Sequence, residues 1–106
     1  MHIQVINFNL KGMSHQEFSQ LCDELASTFA STPGLYSKVW LADRSTNTYG
    51  GVYTWQDHQA MEKFTQSDLF NTVATHPNFE NITSKDFGVL EGPTQVTGGL
   101  VAEPVV

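Results

Sequence analysis

Two neighbouring segments in the middle of the chain combine aromatic rings with a lysine. Lys38 and Trp40 lie in the first segment, and Tyr53 and Trp55 lie in the second. Aromatic walls with a few well-placed polar groups are the usual make-up of a small-molecule site. Because an ammonium group can stabilise a developing anion, a site of this composition suits a planar phenol or quinol. We therefore predict an aromatic-lined pocket in which Trp40, Tyr53 and Lys38 act on such a ligand.

The predicted site also includes residues from other parts of the chain. We assign Asn7, an amide donor near the start of the chain, to the catalytic groups. The predicted substrate contacts are Tyr36, Trp55, Asn9 and Phe87. An alternative for Lys38 is a surface lysine whose apolar stem lies along the protein while its charge stays in water. For Asn7 and Asn9 the alternative is a polar residue near the end of a strand.

The two central segments alternate as the strands of a hairpin do. Residues 35–42 and 49–55 each split into two sets with a period of two. The loop between them is rich in Asp, Ser, Thr and Asn, which favour a turn, and we centre that turn near Thr46-Asn47. The cross-strand pairs of this register include Trp40 with Tyr53 and Lys38 with Trp55.

The predicted hairpin has one aromatic face and one aliphatic face. The aliphatic set is Leu35, Val39 and Leu41, and we expect the helices to cover it. The aromatic face would then meet water as an unusually large apolar patch, so it needs a partner subunit or a ligand to cover it. The alternative is that the aromatic rings form an ordinary core and the aliphatic side faces outward. A slip of one residue exchanges the two faces, so the pattern leaves both assignments open.

The remaining chain supplies the other elements of an α+β domain. Strands are predicted at 2–10, 35–42, 49–55 and about 82–90. Helices are predicted at about 14–30, from 57 onward and at 67–75. Ser14 and Glu17 form a capping box at the start of the first helix. The order β-α-β-β-α-β predicts a ferredoxin-like sandwich with an antiparallel sheet, formed by residues 1–92 and followed by a tail, 93–106.

Composition excludes several classes of function. The net charge is −6 with only five Lys and Arg residues, so a nucleic-acid surface is not expected. No apolar run approaches the length of a membrane span. The absence of an export signal and the single cysteine, Cys22, favour the cytoplasm. Cys22 lies in the apolar stripe of the first helix, which predicts a buried and unreactive thiol.

No spacing along the chain predicts a metal or a cofactor. The four histidines are His2, His15, His58 and His76. None lies three or four residues from another metal-ligand residue in a recognisable metal motif. The sequence also has no G-x-G-x-x-G motif and no P-loop. We therefore predict that the protein uses neither a metal nor a cofactor.

One set of residues carries a family resemblance. The set consists of Gly34, Lys38-Val39-Trp40, Gly50-Gly51-Val52-Tyr53, Trp55 and Asp57. With these residues the chain resembles the YdhR-like monooxygenases, which belong to the dimeric α+β barrel superfamily with the antibiotic-biosynthesis and quinol monooxygenases. The similarity runs without a gap from about residue 34 to residue 64 and continues loosely into the last strand.

The resemblance implies a homodimer whose two sheets pack face to face into a barrel. It also implies oxygenation of an aromatic substrate by molecular oxygen, without metal, haem or flavin. Haem-degrading members of the superfamily use an Asn, a Trp and a His. Asn7 matches the Asn, but Phe64 stands at the Trp position and His76 lies two residues beyond the His position. Haem cleavage is therefore not expected.

Two functions remain open from the sequence. The first is a cofactor-independent monooxygenase acting on a phenol or quinol, in which the substrate supplies the electrons. The second is a non-catalytic barrel that binds a hydrophobic small molecule, for example in a stress response. Fold alone does not choose between them, because one architecture hosts several activities.

Overall fold

Four antiparallel strands form one sheet in the order β2-β3-β1-β4. The computed structural model describes residues 1–100. The elements are β1 His2–Leu10, α1 His15–Ala30, β2 Leu35–Asp43, β3 Thr48–Trp55, α2 His58–Thr65, α3 Asp68–Ala74, β4 Phe79–Gly88 and α4 Glu91–Val96. The predicted ferredoxin-like arrangement is confirmed, with its second helix divided into α2 and α3.

Each of the three longer helices begins at a side-chain cap that the sequence provides. The predicted capping box is present, because Ser14 accepts a hydrogen bond from the Glu17 backbone and Glu17 accepts one from the Ser14 backbone. Asp57 caps α2 and Ser67 caps α3 in the same manner. These bonds satisfy backbone N–H groups that a helix start leaves without partners.

The core lies between the helices and one face of the sheet. β1 contributes Ile6, Phe8 and Leu10 to it, while Phe18 and Phe29 of α1 pack from the other side. β1 therefore alternates between core and outward positions, as its sequence predicts. None of the helices within residues 1–100 is long and apolar enough to cross a membrane.

A bulge in β2 places Leu35 on the opposite side from Val39 and Leu41. Leu35 pairs with Trp55, but the next pair is Ser37 with Thr54, so Tyr36 is an extra residue in β2. Because of this extra residue, Leu35 and Lys38 both point towards the helices.

The aromatic rings belong to the core side, and the prediction that the helices cover the aliphatic set was wrong for Val39 and Leu41, while Leu35 is buried. Tyr53 and Trp55 are almost fully buried, whereas Val39 is 59% exposed. The alternative assignment, with aromatic rings inside and aliphatic residues outside, is the one that the structure adopts. The pairing itself is Lys38 with Tyr53 and Trp40 with Gly51, two residues away from the predicted register. A shift of two residues leaves the faces unchanged, and the bulge changes the side of Leu35 alone, so the error lies in the choice of which hairpin face meets the helices.

The outward face of the sheet has an aliphatic centre formed by Ile3, Val5, Val39, Val52 and Leu41. Its cross-strand rows are Ser37–Thr54–Ile3–Phe87, Val39–Val52–Val5–Lys85 and Leu41–Gly50–Asn7–Thr83. Within residues 1–100, α1, α2 and α3 are the helices with the main contacts to the sheet, and their buried side chains belong to the core on the other face. The chain therefore presents an uncovered apolar sheet face.

The end of the chain differs from its prediction. β4 begins at Phe79, three residues before the predicted start, and contains a second bulge where Asn81 has a positive φ of 57°. The segment after Gly88 includes the short helix α4, where we predicted a tail without regular structure. Leu90 and Val96 at its two ends are exposed. The division of the chain at residue 92 stays a prediction, and residues 101–106 lie outside the described part.

Candidate functional site

Lys38 lies inside a cage of three aromatic rings. Its Nζ is 3.4 Å from the ring centroids of Phe29 and Trp40 and 4.6 Å from that of Tyr53. In the part of the chain described, residues 1–100, no carboxylate forms an ion pair with this amine. Lys38 is therefore a part-buried amine whose neighbours are rings and a thiol, not acids.

Burial sets the protonation of the groups in this cage. It lowers the pKa of Lys38 to about 7, an effect that the Cys22 side chain opposes. Burial also raises the pKa of Cys22 to about 11 and raises that of Tyr53. At neutral pH the thiol and the phenol are both protonated, so Lys38 is the group in the cage that can accept a proton.

A small cavity adjoins this cage between α1 and the sheet. Its volume is about 30 Å³, and its lining includes Lys38, Trp40, Tyr53, Cys22 and Phe29. That space suits one or two water molecules or a diatomic gas, whereas a benzene-sized ring needs a cavity of about 150 Å³. This cavity alone does not hold a phenol.

Two open grooves flank the cavity where α1 faces β2. The groove towards the start of α1 has a volume of about 400 Å³ and is lined in part by His15, Asp23 and Cys22. The groove towards the end of α1 has a volume of about 340 Å³, and Lys38 lines it. Trp40 lines both grooves and the cavity, so it is the wall that they share. We call the two grooves and the cavity together the α1–β2 cleft.

Gly51 keeps the space that the Lys38 stem occupies. A Cβ atom at this position would lie 2.8 Å from Lys38 Cε and 3.2 Å from Tyr53 Cε1. Both distances are shorter than ordinary contacts between carbon atoms. A side chain at position 51 would therefore displace the amine or the phenol ring. The G-G-V-Y segment is thus part of the site as well as of the strand.

Three of the predicted site residues come together in the cleft. They are Lys38, Trp40 and Tyr53. Trp55 lies next to Tyr53 with its ring parallel at 5.9 Å, but it is fully buried and donates its Nε1–H to Gln4 Oε1. Trp55 packs against the Tyr53 ring and lines neither the cavity nor either groove. Tyr36 is the extra residue of the bulge and is not among the cleft residues either.

The other predicted residues lie on the opposite face of the sheet. Asn7 and Phe87 belong to the outward rows, and their assignment to the same site as Trp40 was wrong. Asn9 bonds to the backbone oxygen of Asn47 and accepts a bond from Asn81, so it holds two irregular backbone positions together. The alternative of a polar residue near a strand end describes Asn9.

The residues of the haem-degrading set do not converge. Asn7 faces outward, while Phe64 is buried in the core between the rings of Trp55 and Phe70. His76 stacks on Phe79 at the far side of the core. The three positions therefore form no common site.

Sequence reasoning missed three groups of the cleft. His15 lines the larger groove, and its Nδ1 is 3.0 Å from the hydroxyl of Tyr49. Phe29 forms one wall of the lysine cage, and Cys22 lies beside the amine. All three lie on α1 at spacings of seven residues, a signal that marks one helix face. The apolar spacing of α1 assigns this face to the core, but it does not show that Lys38 and Trp40 of β2 lie opposite it.

Comparison with known proteins agrees with the family resemblance. Residues 3–100 match the family model described as "Putative mono-oxygenase ydhR". Among curated proteins, no significant sequence match is found.

Solved structures with the same fold include oxygenases and a haem degrader. The chain is similar to SnoaB from Streptomyces nogalater, a cofactor-independent oxygenase solved in mutant form, with 22% identity, a TM-score of 0.65 and coverage of 85% of this chain and 94% of that one. It is similar to the haem degrader MhuD from Mycobacterium tuberculosis, with 15% identity, a TM-score of 0.68 and coverage of 85% and 96%. A third protein with this fold is described as a "putative antibiotic biosynthesis monooxygenase" from Deinococcus radiodurans, with 14% identity, a TM-score of 0.69 and coverage of 84% and 92%. At these identities the likeness establishes the fold.

Proposed function

The chain belongs to the ydhR mono-oxygenase family, and from that premise we propose that it oxidises a phenol or quinol in the α1–β2 cleft without a cofactor. The observation that carries the proposal is Lys38, an amine placed at 3.4 Å from two aromatic rings with its pKa lowered to about 7. A protein that keeps such an amine beside a cleft has a proton acceptor matched to neutral pH.

Lys38 would activate the substrate by removing its hydroxyl proton. The neutral amine takes the proton at Nζ, and the resulting ammonium stabilises the phenolate beside it. Trp40 would hold the substrate ring, since it lines both grooves and the cavity. The neutral Cys22 and Tyr53 add no negative charge that would oppose the phenolate.

Oxygen would then react directly with the phenolate. The anion passes one electron to O₂, and the two radicals combine to form a carbon–oxygen bond and a peroxide anion. The Lys38 ammonium returns its proton to that peroxide. Cleavage of the O–O bond with loss of water leaves a quinone, so the substrate loses two hydrogens, and one oxygen atom enters the product while the other leaves as water. The cavity of about 30 Å³ next to Lys38 is large enough for O₂.

Oxygen uptake with a panel of phenols and quinols tests the proposal. We expect uptake and quinone formation with at least one compound, and kcat/KM should rise through pH 7 as Lys38 loses its proton. Lys38→Met keeps an unbranched side chain without the amine and should remove both the activity and this inflection. Lys63→Met on the exposed side of α2 is the matched control. Tight binding of a ring compound without any oxygen uptake would instead support a non-catalytic binding protein.

We further propose that two copies pair through the outward sheet face. The apolar rows centred on Val39, Val52 and Val5 have no helix over them, and Val39 and Phe87 are more than half exposed. A contiguous apolar patch of this kind is unusual on a monomer. Val39→Glu should convert a dimer to a monomer in sedimentation, while Lys63→Glu should not. Sedimentation of the unaltered protein as a monomer at micromolar concentration would contradict this pairing.

A further inference from the structure

Three side chains from three separate elements meet at one end of the sheet. His2 lies at the start of β1, His58 at the start of α2 and Asp86 near the end of β4. One donor atom of each lies within 4.8 Å of the donors of the other two. The sequence separates these residues by 56 and 28 positions (58 − 2 and 86 − 58), which is why spacing along the chain did not predict them. We propose that His2, His58 and Asp86 form a binding site for a divalent transition-metal ion.

The individual distances suit shared coordination. His2 Nε2 is 2.6 Å from Asp86 Oδ2, and His58 Nε2 is 3.9 Å from the same oxygen. An ion bound tetrahedrally at 2.0–2.2 Å from each donor separates its donors by roughly 3.4 Å. On binding the ion, the distance from His2 Nε2 to Asp86 Oδ2 would increase by under about 1 Å. The distance from His58 Nε2 to the same oxygen would decrease by a smaller amount. Small rotations of His58 and Asp86 are possible because both are substantially exposed.

The surroundings orient these ligands. His58 Nδ1 is 3.2 Å from Glu62 Oε1, one turn further along α2, so the second nitrogen of this ring is left for the metal. A carboxylate that holds the outer nitrogen of a histidine ligand is the usual support of such sites. The two imidazole rings stand at 88° with centroids 4.8 Å apart, so they can approach one ion without stacking on each other.

The donor set identifies the class of ion. Two imidazoles and one carboxylate suit zinc, iron, nickel or copper, whereas magnesium and calcium prefer oxygen ligands throughout. Three protein ligands leave a coordination position for water or another ligand. The site is distinct from the α1–β2 cleft, since none of its residues lines the cavity or either groove. The buried Trp55 connects the two regions, because it pairs with His2 across the sheet and its ring stacks against that of Tyr53 in the cleft.

Titration with Zn²⁺ tests the site. Isothermal titration calorimetry of the full chain should give one Zn²⁺ per chain, and Mg²⁺ and Ca²⁺ should not compete. Asp86→Asn and His58→Gln should each weaken Zn²⁺ binding at least tenfold. Glu62→Gln should weaken it by about tenfold, since supporting carboxylates affect affinity by 10–100-fold. His15→Gln, which removes a histidine outside the cluster, should leave the affinity unchanged.

Two results would overturn the proposal. If Zn²⁺ does not bind at millimolar concentration, the cluster is a hydrogen-bonded His–Asp pair with a neighbouring histidine. If Zn²⁺ binds equally well to Asp86→Asn and His58→Gln, the ion is held by His2 and the terminal amine alone. Circular dichroism of each variant checks that the fold is kept, and the visible absorption of bound Co²⁺ reports the coordination independently of affinity. Loss of that absorption in Asp86→Asn, with an unchanged dichroism spectrum, is the expected result.

Discussion

Replacing Lys38 by methionine should stabilise the protein at neutral pH and remove a pH dependence of its stability. Burial lowers the pKa of Lys38 from 10.5 to about 7. At 1.36 kcal/mol per pKa unit, this corresponds to a cost of roughly 5 kcal/mol for the charged amine. The rings of Phe29 and Trp40 attract the ammonium, and this attraction offsets about 1–3 kcal/mol of the unfavourable free energy of burial. We therefore expect Lys38→Met to increase the free energy of unfolding by roughly 2–4 kcal/mol at pH 6.5.

The sign of the pH dependence follows from the two states of Lys38. The unfolded chain keeps the proton up to about pH 10.5, whereas the folded chain releases it near pH 7, so the unfolded state binds more protons between these values. Stability of the unaltered protein therefore rises with pH above 7. Above pH 9 the opposite effect begins, because the raised pKa values of Cys22 and Tyr53 let the unfolded chain lose those protons first. The useful window is pH 6.5–9.

Urea unfolding followed by tryptophan fluorescence measures this effect. The experiment uses one protein concentration throughout, since association would make stability depend on concentration. The stability difference between Lys38→Met and the unaltered protein should shrink by roughly 2 kcal/mol from pH 6.5 to pH 9. Lys63→Met, on the exposed side of α2, should show no such change. If the free energy of unfolding changes with pH in the same way for Lys38→Met and the unaltered protein, burial does not lower the pKa of Lys38 and this reasoning is refuted.

Two further substitutions test the cleft. Trp40→Phe should weaken substrate binding or turnover well beyond its effect on melting, because Trp40 lines all three spaces of the cleft. Val39→Ala, on the outward face proposed for pairing, should weaken association and leave turnover unchanged. A larger loss of kcat/KM in Val39→Ala than in Trp40→Phe would place the substrate on the other side of the sheet. Gly51→Ala should displace Lys38 and lower kcat/KM by up to about a hundredfold, the usual cost of an ångström of misplacement. Gly88→Ala, whose new methyl group meets no atom within 4 Å, is its control, and equal kinetics for both glycine variants would show that Gly51 does not position the amine.

The local elements were predictable because their signals are local. The alternation of β1 and the capping box of α1 depend on residues within a few positions of each other, and the structure places them as expected. The grouping of Lys38, Trp40 and Tyr53 was predictable for the same reason, since pairing across a hairpin keeps alternate residues on one face.

The position of the site within the fold was not predictable in this way. Which face of the hairpin meets the helices depends on packing against the rest of the chain, and an alternating pattern contains no signal for that choice or for the bulge at Tyr36. Asn7 was placed with Trp40 because the aromatic face of the hairpin was assigned to the outward side, on which Asn7 does lie. His2, His58 and Asp86 meet only once three elements pack, so neither their spacing nor their composition marks them in the sequence.

The bulge at Tyr36 changes which alternate residues of β2 face the core part-way along the strand. Leu35, before it, and Lys38, after it, point to the same side because β2 is one residue longer than its partner over this stretch. Deletion of Tyr36 would leave Leu35, Ser37 and Lys38 consecutive, opposite Trp55, Thr54 and Tyr53. The strand would then be regular, and the amine and the indole would keep their side of the sheet. The surface that meets a small molecule is therefore insensitive to the loss of this one residue.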